Sequence, residues 1–169
     1  KEYQGGGYLA LGDVDGDEKN DIVIGQGAGK ESGLRTAQKI RVFQPNGTRL
    51  PIEIRPFHKN FDGGITVATG DIDGDGTDEI GACQASKGQA WCKVVRYTTR
   101  KEVVAFWNAY GDFNNGATIS LGDVDGDGRA EAIVGPGPGG ATRIRVYDIG
   151  RTAVTGSNQG ARLKPIQYA

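Results

Sequence analysis

The chain has 169 residues, with 20 basic and 21 acidic side chains, one histidine, two cysteines, no methionine and 29 glycines. This length allows one domain with a real core, and no lysine-arginine run and no nucleic-acid module is present, so no nucleic-acid partner is expected. No apolar run approaches the roughly 18 residues of a membrane-spanning helix, and glycines at turns and strand ends without a Gly-X-Y period exclude collagen and a disordered linker.

In chain order, Tyr8-Leu-Ala-Leu-Gly12 reads as a short strand. The acidic loop Asp13-Val-Asp15-Gly-Asp17-Glu-Lys19-Asn-Asp21 follows, then a second strand through Gly25. Residues 39–43 alternate basic and apolar side chains, the period of a pleated third strand, and 50–54 read as a fourth. The order then repeats. Strand 66–70 leads into Asp71-Ile-Asp73-Gly-Asp75-Gly-Thr77-Asp-Glu79, with strands following to Cys83, over 91–95 and over 103–107. Strand 118–122 leads into Asp123-Val-Asp125-Gly-Asp127-Gly-Arg129-Ala-Glu131, with strands following over 130–135, 143–147 and 163–166. An aromatic residue and a glycine-bearing turn open each unit, at Tyr3, Phe61 and Phe113. The first aspartates lie 58 and 52 residues apart, the period of a four-stranded propeller blade. The expected fold is all-β: a β-propeller segment of four-stranded antiparallel blades over 1–169, with three blades at about 1–60, 61–112 and 113–169.

The loops carry the chemistry. Carboxylates at positions 1, 3, 5 and 9, with the position-7 carbonyl free to turn inward, supply the hard oxygen donors that Ca²⁺ prefers. An EF-hand is excluded, because position 12 is Ile24, Ala82 or Val134 instead of glutamate and the flanks are strands. One Asp-Gly segment alone is more often a plain turn, but three with acids in the same register are not explained by turn chemistry. Position 6 is glycine in two loops and Glu18 in the first, so loop one is expected to bind more weakly or to turn differently. Position 9 is aspartate once and glutamate twice, with direct and bidentate reach both open. Twelve of the 21 acids sit at these positions, and three Ca²⁺ ions would move the net charge from −1 to about +5.

The repeated Gly-Asp-(Val/Ile)-Asp-Gly-Asp-x-x-x-(Asp/Glu) pattern, with its apolar strand and glycine-rich turn, resembles the FG-GAP repeats of integrin α-subunit propellers and the related VCBS repeats of bacterial secreted proteins. That resemblance implies a calcium-binding propeller in a cell-surface or secreted adhesion or recognition protein. It assigns metal binding to Asp13, Asp15, Asp17 and Asp21, to Asp71, Asp73, Asp75 and Glu79, and to Asp123, Asp125, Asp127 and Glu131. The carbonyls of Lys19, Thr77 and Arg129 would complete the three shells.

If Lys87-Gly88 is a tight hairpin turn, Cys83 faces Cys92 in a non-hydrogen-bonded pair, close enough for a disulfide. That bridge fits an oxidising, extracellular compartment. Lys39, Arg41, Arg143 and Arg145 read as a solvated strand face, His58 as a solvated histidine, and 135–140 as a wide turn. Most aromatic residues read as packing between blades, with Trp91 and Trp107 as candidates for a sugar platform. The expected function is non-enzymatic recognition of a protein or glycan. A lectin, or the propeller domain of an extracellular polysaccharide-degrading enzyme, is the alternative. The chain, without methionine or leader, reads as a processed chain, an excised fragment, or the ordered part of a longer sequence. Tyr168 would stand four residues ahead of a second Tyr3, as Phe57 stands ahead of Phe61, so a longer blade array or a head-to-tail homo-oligomer is expected.

Overall fold

A computed structural model of the chain describes residues 4–29 and 38–149, together with the backbone of 161–164. The fold is all-β, in three antiparallel sheets. Sheet 1 contains β1 (Gly7–Gly12), β2 (Asp21–Gln26) and β3 (Ile40–Phe43). Sheet 2 contains β4 (Ile65–Gly70), β5 (Glu79–Gln84), β6 (Trp91–Val95) and β7 (Val103–Asn108). Sheet 3 contains β8 (Ala117–Gly122), β9 (Glu131–Pro136), β10 (Arg145–Ile149) and β11 (Ala161–Lys164). Strands pair in chain order within each sheet. Across sheets β1 lies against β4 and β4 against β8, so the first strands stand side by side. The described residues form this arc of three sheets and no closed ring. No helix among them is long and apolar enough to cross a membrane. Tyr3, Tyr168 and the chain ends lie outside the described residues, as do Pro165 and Ile166 of the expected last strand.

The middle sheet is buried on both faces, and the two-residue period of its strands sorts its side chains between two cores. Val67, Ile80, Ala82 and Val95 join Val23, Ile40 and Val42 on the sheet 1 side. Cys83, Cys92, Val94 and Trp107 join Ile119, Val134 and Tyr147 on the sheet 3 side. Trp107 is a core residue packed on Tyr147 at 5.2 Å between ring centroids, which removes it as a sugar platform.

The fourth strand expected at 50–54 is not formed. Phe43 bridges Arg49 and Ile40 bridges Ile54, so the two residues of β3 between the bridges face four on the returning segment. Pro51 sits in the excess, where its missing N–H cannot join a ladder. The third strand of sheet 3 begins at Arg145 instead of Arg143, and proline again explains the shift. In sheet 1 the Gln26 amide donates to the Lys39 carbonyl at 3.1 Å; its counterpart, Pro136, has no N–H for Arg143. The Tyr110 hydroxyl takes that place, 2.7 Å from the Arg143 carbonyl oxygen.

Cys83 faces Cys92 with Cα atoms 4.1 Å apart, and the two form a disulfide. The connecting loop is wider than the two-residue turn expected at Lys87-Gly88. It runs over 85–90, with Lys87 and Ala90 at φ of 53° and 55°, while the register stays as expected. The basic residues do not form one face. Lys39 and Arg41 lie 3.3 and 3.6 Å from Glu53, whereas Arg145 stacks over the Tyr110 ring in another sheet.

Candidate metal centres

Each acidic loop joins the first two strands of its sheet and turns the same way three times. The first aspartate accepts backbone N–H bonds from positions 4 and 5 on one oxygen and from position 6 on the other. Position 4 is a glycine at φ of 78°, 79° or 78°, the left-handed region that glycine enters freely. Position 6 is left-handed too, at Gly76, at Gly128 and also at Glu18, with φ of 64°. Loop one therefore turns as the others do, at the steric cost of a side chain in that region. Three donors to Asp123, the amides of Gly128, Gly126 and Asp127, hold its carboxyl below the usual carboxylate range.

The loops gather carboxylates. Ligand oxygens of Asp13, Asp15 and Asp17 lie within 4.8 Å of one another, as do those of Asp123, Asp125 and Asp127. In loop two the group is Asp71, Asp73 and Glu79, with Asp75 outside it and its carboxylate accepting from the Thr77 amide at 2.8 Å. The position-9 acids Asp21, Glu79 and Glu131 are buried behind the loops. Each accepts a bond from the position-2 amide: Val14 to Asp21, Ile72 to Glu79 at 3.1 Å, and Val124 to Glu131 at 3.0 Å. Burial and the neighbouring carboxylates of Asp15, Asp17 and Asp13 push the Asp21 carboxyl up. Of the position-7 residues, Lys19, Thr77 and Arg129, the amides donate to the position-5 aspartates.

These residues fit a hard cation. The donor sets are all oxygen, and Asp21 Oδ2 and Asp73 Oδ1 are buried without a hydrogen-bond partner among the described residues. A buried carboxylate oxygen in that condition calls for a positive charge.

One residue of site two is not legible in the loop pattern. Arg96 follows β6 and lays its guanidinium on the second cluster, contacting Asp73 and donating from Nε to Glu79 at 3.1 Å. Burial and the Asp73 carboxylate raise the Glu79 carboxyl to about 7, against the pull of Arg96 and the Ile72 amide. The position after β6 is Gln44 in sheet 1 and Asp148 in sheet 3, so the repeat gives no signal for an arginine there. The one available cue was a lone charge at a strand end directly after the apolar Val94-Val95.

The sheets and loops define a class: an all-β repeat protein whose unit is strand, acidic loop, strand. Residues 13–82, from the first loop into β5, match the family model of the FG-GAP-like repeat, so this stretch is FG-GAP-like repeat sequence. The third loop lies beyond the matched residues and repeats their hydrogen bonds. A comparison with curated proteins gave no match.

Proposed function

We propose that the chain is a calcium-binding β-propeller module for recognition or adhesion outside the cell, without enzymatic activity. One Ca²⁺ would sit in the loop between the first and second strands of each sheet. The first site would draw on Asp13, Asp15, Asp17 and Asp21, the second on Asp71, Asp73, Asp75 and Glu79, and the third on Asp123, Asp125, Asp127 and Glu131. The Lys19, Thr77 and Arg129 carbonyls would add one ligand each. The observation that carries this reading is the threefold convergence of carboxylates within the loops, at positions 1, 3 and 5 in the first and third and 1, 3 and 9 in the second, with buried oxygens in the first two sites that lack a hydrogen-bond partner among the described residues. The FG-GAP-like repeat and the disulfide support an extracellular setting. Calcium supplies the positive charge that lets each loop keep its acids together, and the module so ordered presents its surface to a protein or glycan ligand. A motif repeated three times is the pattern of structural metal, since a catalytic site needs unlike groups gathered once.

Calorimetric titration of the metal-stripped chain with CaCl₂ tests this reading. Three ions per chain are expected, falling to two in Asp123→Asn; no calcium-dependent heat would overturn it.

A glycan ligand is favoured by one groove. Its cavity of about 280 Å³ is lined by Pro56, Phe57, His58, Gln84, Trp91, Lys93 and Phe106. Trp91 stacks on Phe106 at 4.6 Å, Lys93 Nζ lies 4.9 Å from the Phe106 ring centre, and Gln84 Oε1 has no hydrogen-bond partner among the described residues. Aromatic surface beside an amide and an ammonium suits a sugar. Glycan-array binding abolished by Trp91→Ala would separate this ligand class from a protein partner.

A further inference from the structure

We infer that a second copy of this chain docks head to tail on the first, the front of sheet 1 seating on the back of sheet 3. The inference goes beyond the calcium reading and rests on a joint that the chain makes twice within itself.

At the first joint a Cβ on Gly12 would lie 2.7 Å from Thr69 Cβ, and one on Gly25 would lie 2.8 Å from Val67 Cγ1. The Asp78 amide donates to the Asp13 carbonyl at 2.7 Å. At the second joint a Cβ on Gly70 would lie 2.8 Å from Leu121 Cβ, and one on Gly81 would lie 3.0 Å from Ile119 Cδ1. The Ala130 amide donates to the Asp71 carbonyl, again at 2.7 Å. Each joint thus seats two first-strand side chains over glycines of the preceding sheet and locks the fit with one backbone bond.

Both halves of the same joint remain unmade at the ends of the arc. Leu9 holds the place of Val67 and Ile119, and Leu11 that of Thr69 and Leu121, by their registers with the second strands. Leu9 and Leu11 are 67% and 64% exposed, while Val67 and Ile119 are 7%. On the back of sheet 3, no described atom comes within 4 Å of a Cβ placed on Gly122, the counterpart of Gly12 and Gly70. Val124 is 44% exposed, whereas its counterparts Val14 and Ile72 are covered by the following sheet. Asn20 and Asp123, the counterparts of the bonded amide and carbonyl, are both exposed.

The occupant that carries the matching half of each end is the chain itself. Docking places Leu11 over Gly122, Leu9 beside Ile133 and Gly135, and the Asn20 amide on the Asp123 carbonyl of the other copy. Because each copy presents both halves, the contact is heterologous, and two copies supply six sheets, within the four to eight blades of closed propellers.

Light scattering on the full 169-residue chain at tens of micromolar is expected to give twice the chain mass. Leu9→Lys/Leu11→Lys, both at exposed positions, is expected to halve that mass with an unchanged circular dichroism spectrum. The pair Leu11→Cys/Gly122→Cys, oxidised, is expected to give a disulfide between chains, while the control Gly70→Cys/Leu121→Cys bridges within one chain. A monomeric parent chain, a lysine variant that stays dimeric, or a control that bridges while the 11–122 pair does not, each overturns the inference.

Discussion

Calcium in excess raises the melting temperature of this chain by about 15–30 °C over the same chain in chelator. At 100-fold above its dissociation constant, one ion bound to the folded state alone contributes ~2.7 kcal/mol, so three sites contribute ~8 kcal/mol. For a chain of this size each kcal/mol moves the midpoint by about 2–4 °C. The sum is of the order of a whole domain's stability, roughly 5–15 kcal/mol, so the chelated chain should stand close to unfolding. The size follows from how the loops are built: three acids gather at each, and the buried position-9 acid stands behind the group at the first and third loops and is one of the three at the second. Without a cation, Lys19 at loop one, 3.2 Å from Asp17, and Arg96 at loop two offset part of this repulsion. Scanning calorimetry in CaCl₂ and in EDTA measures the difference, and coincident scans would sink the metal reading of all three loops.

Arg96→Gln tightens calcium at site two by about tenfold. A guanidinium on Asp73 and Glu79 already holds the place of a cation, and its charge opposes an arriving ion. At an effective dielectric near 20 two unit charges 4 Å apart interact by ~4 kcal/mol, and partial exposure of Arg96 leaves about a third of that, ~1.4 kcal/mol. Glutamine is the residue sheet 1 carries at this position, Gln44. Site two of the parent chain should therefore fill as a distinct weak step in a calorimetric titration. In the variant that step should merge with the other two; an unchanged isotherm would remove Arg96 from the account.

Glu79 adds a pH signature. Its carboxyl is raised to about 7 in the folded metal-free chain, so between the ordinary glutamate range and pH 7 the folded state holds a proton that the unfolded state has lost. Metal-free stability then falls as pH rises through that window. Calcium takes the ionised carboxylate, so its affinity at site two rises over the same range. Melting curves at pH 5 and pH 8 with and without calcium should diverge with pH, and parallel shifts would contradict the assignment.

The repeat was legible because loop and flanking strands are local: acids at fixed positions, glycine where the backbone turns left-handed, apolar runs on either side. The register of Cys83 with Cys92 could be read from spacing alone, because a wider loop over 85–90 leaves the pairing sum unchanged. What could not be read depends on single missing donors and on contacts far apart in sequence. Pro51 and Pro136 each remove an amide, and only the sheet shows which partner goes without it. Trp107 and Trp91 look alike in sequence, yet they stand on opposite faces of sheet 2, one in the core and one in a groove. Arg96 reaches back 23 residues to Asp73, a distance at which no motif operates.

The backbone bonds from Asp78 to Asp13 and from Ala130 to Asp71 give the arc a direction. The residues that open the first two acidic loops turn their side chains to their own sites and their carbonyls to the sheet that comes after. Loosening a loop therefore weakens the footing of the next sheet along the chain, and among the described residues no loop bond of this kind runs the other way. The two bonds thus order the three sheets in one sense, each of the first two loops supplying the acceptor on which its successor rests.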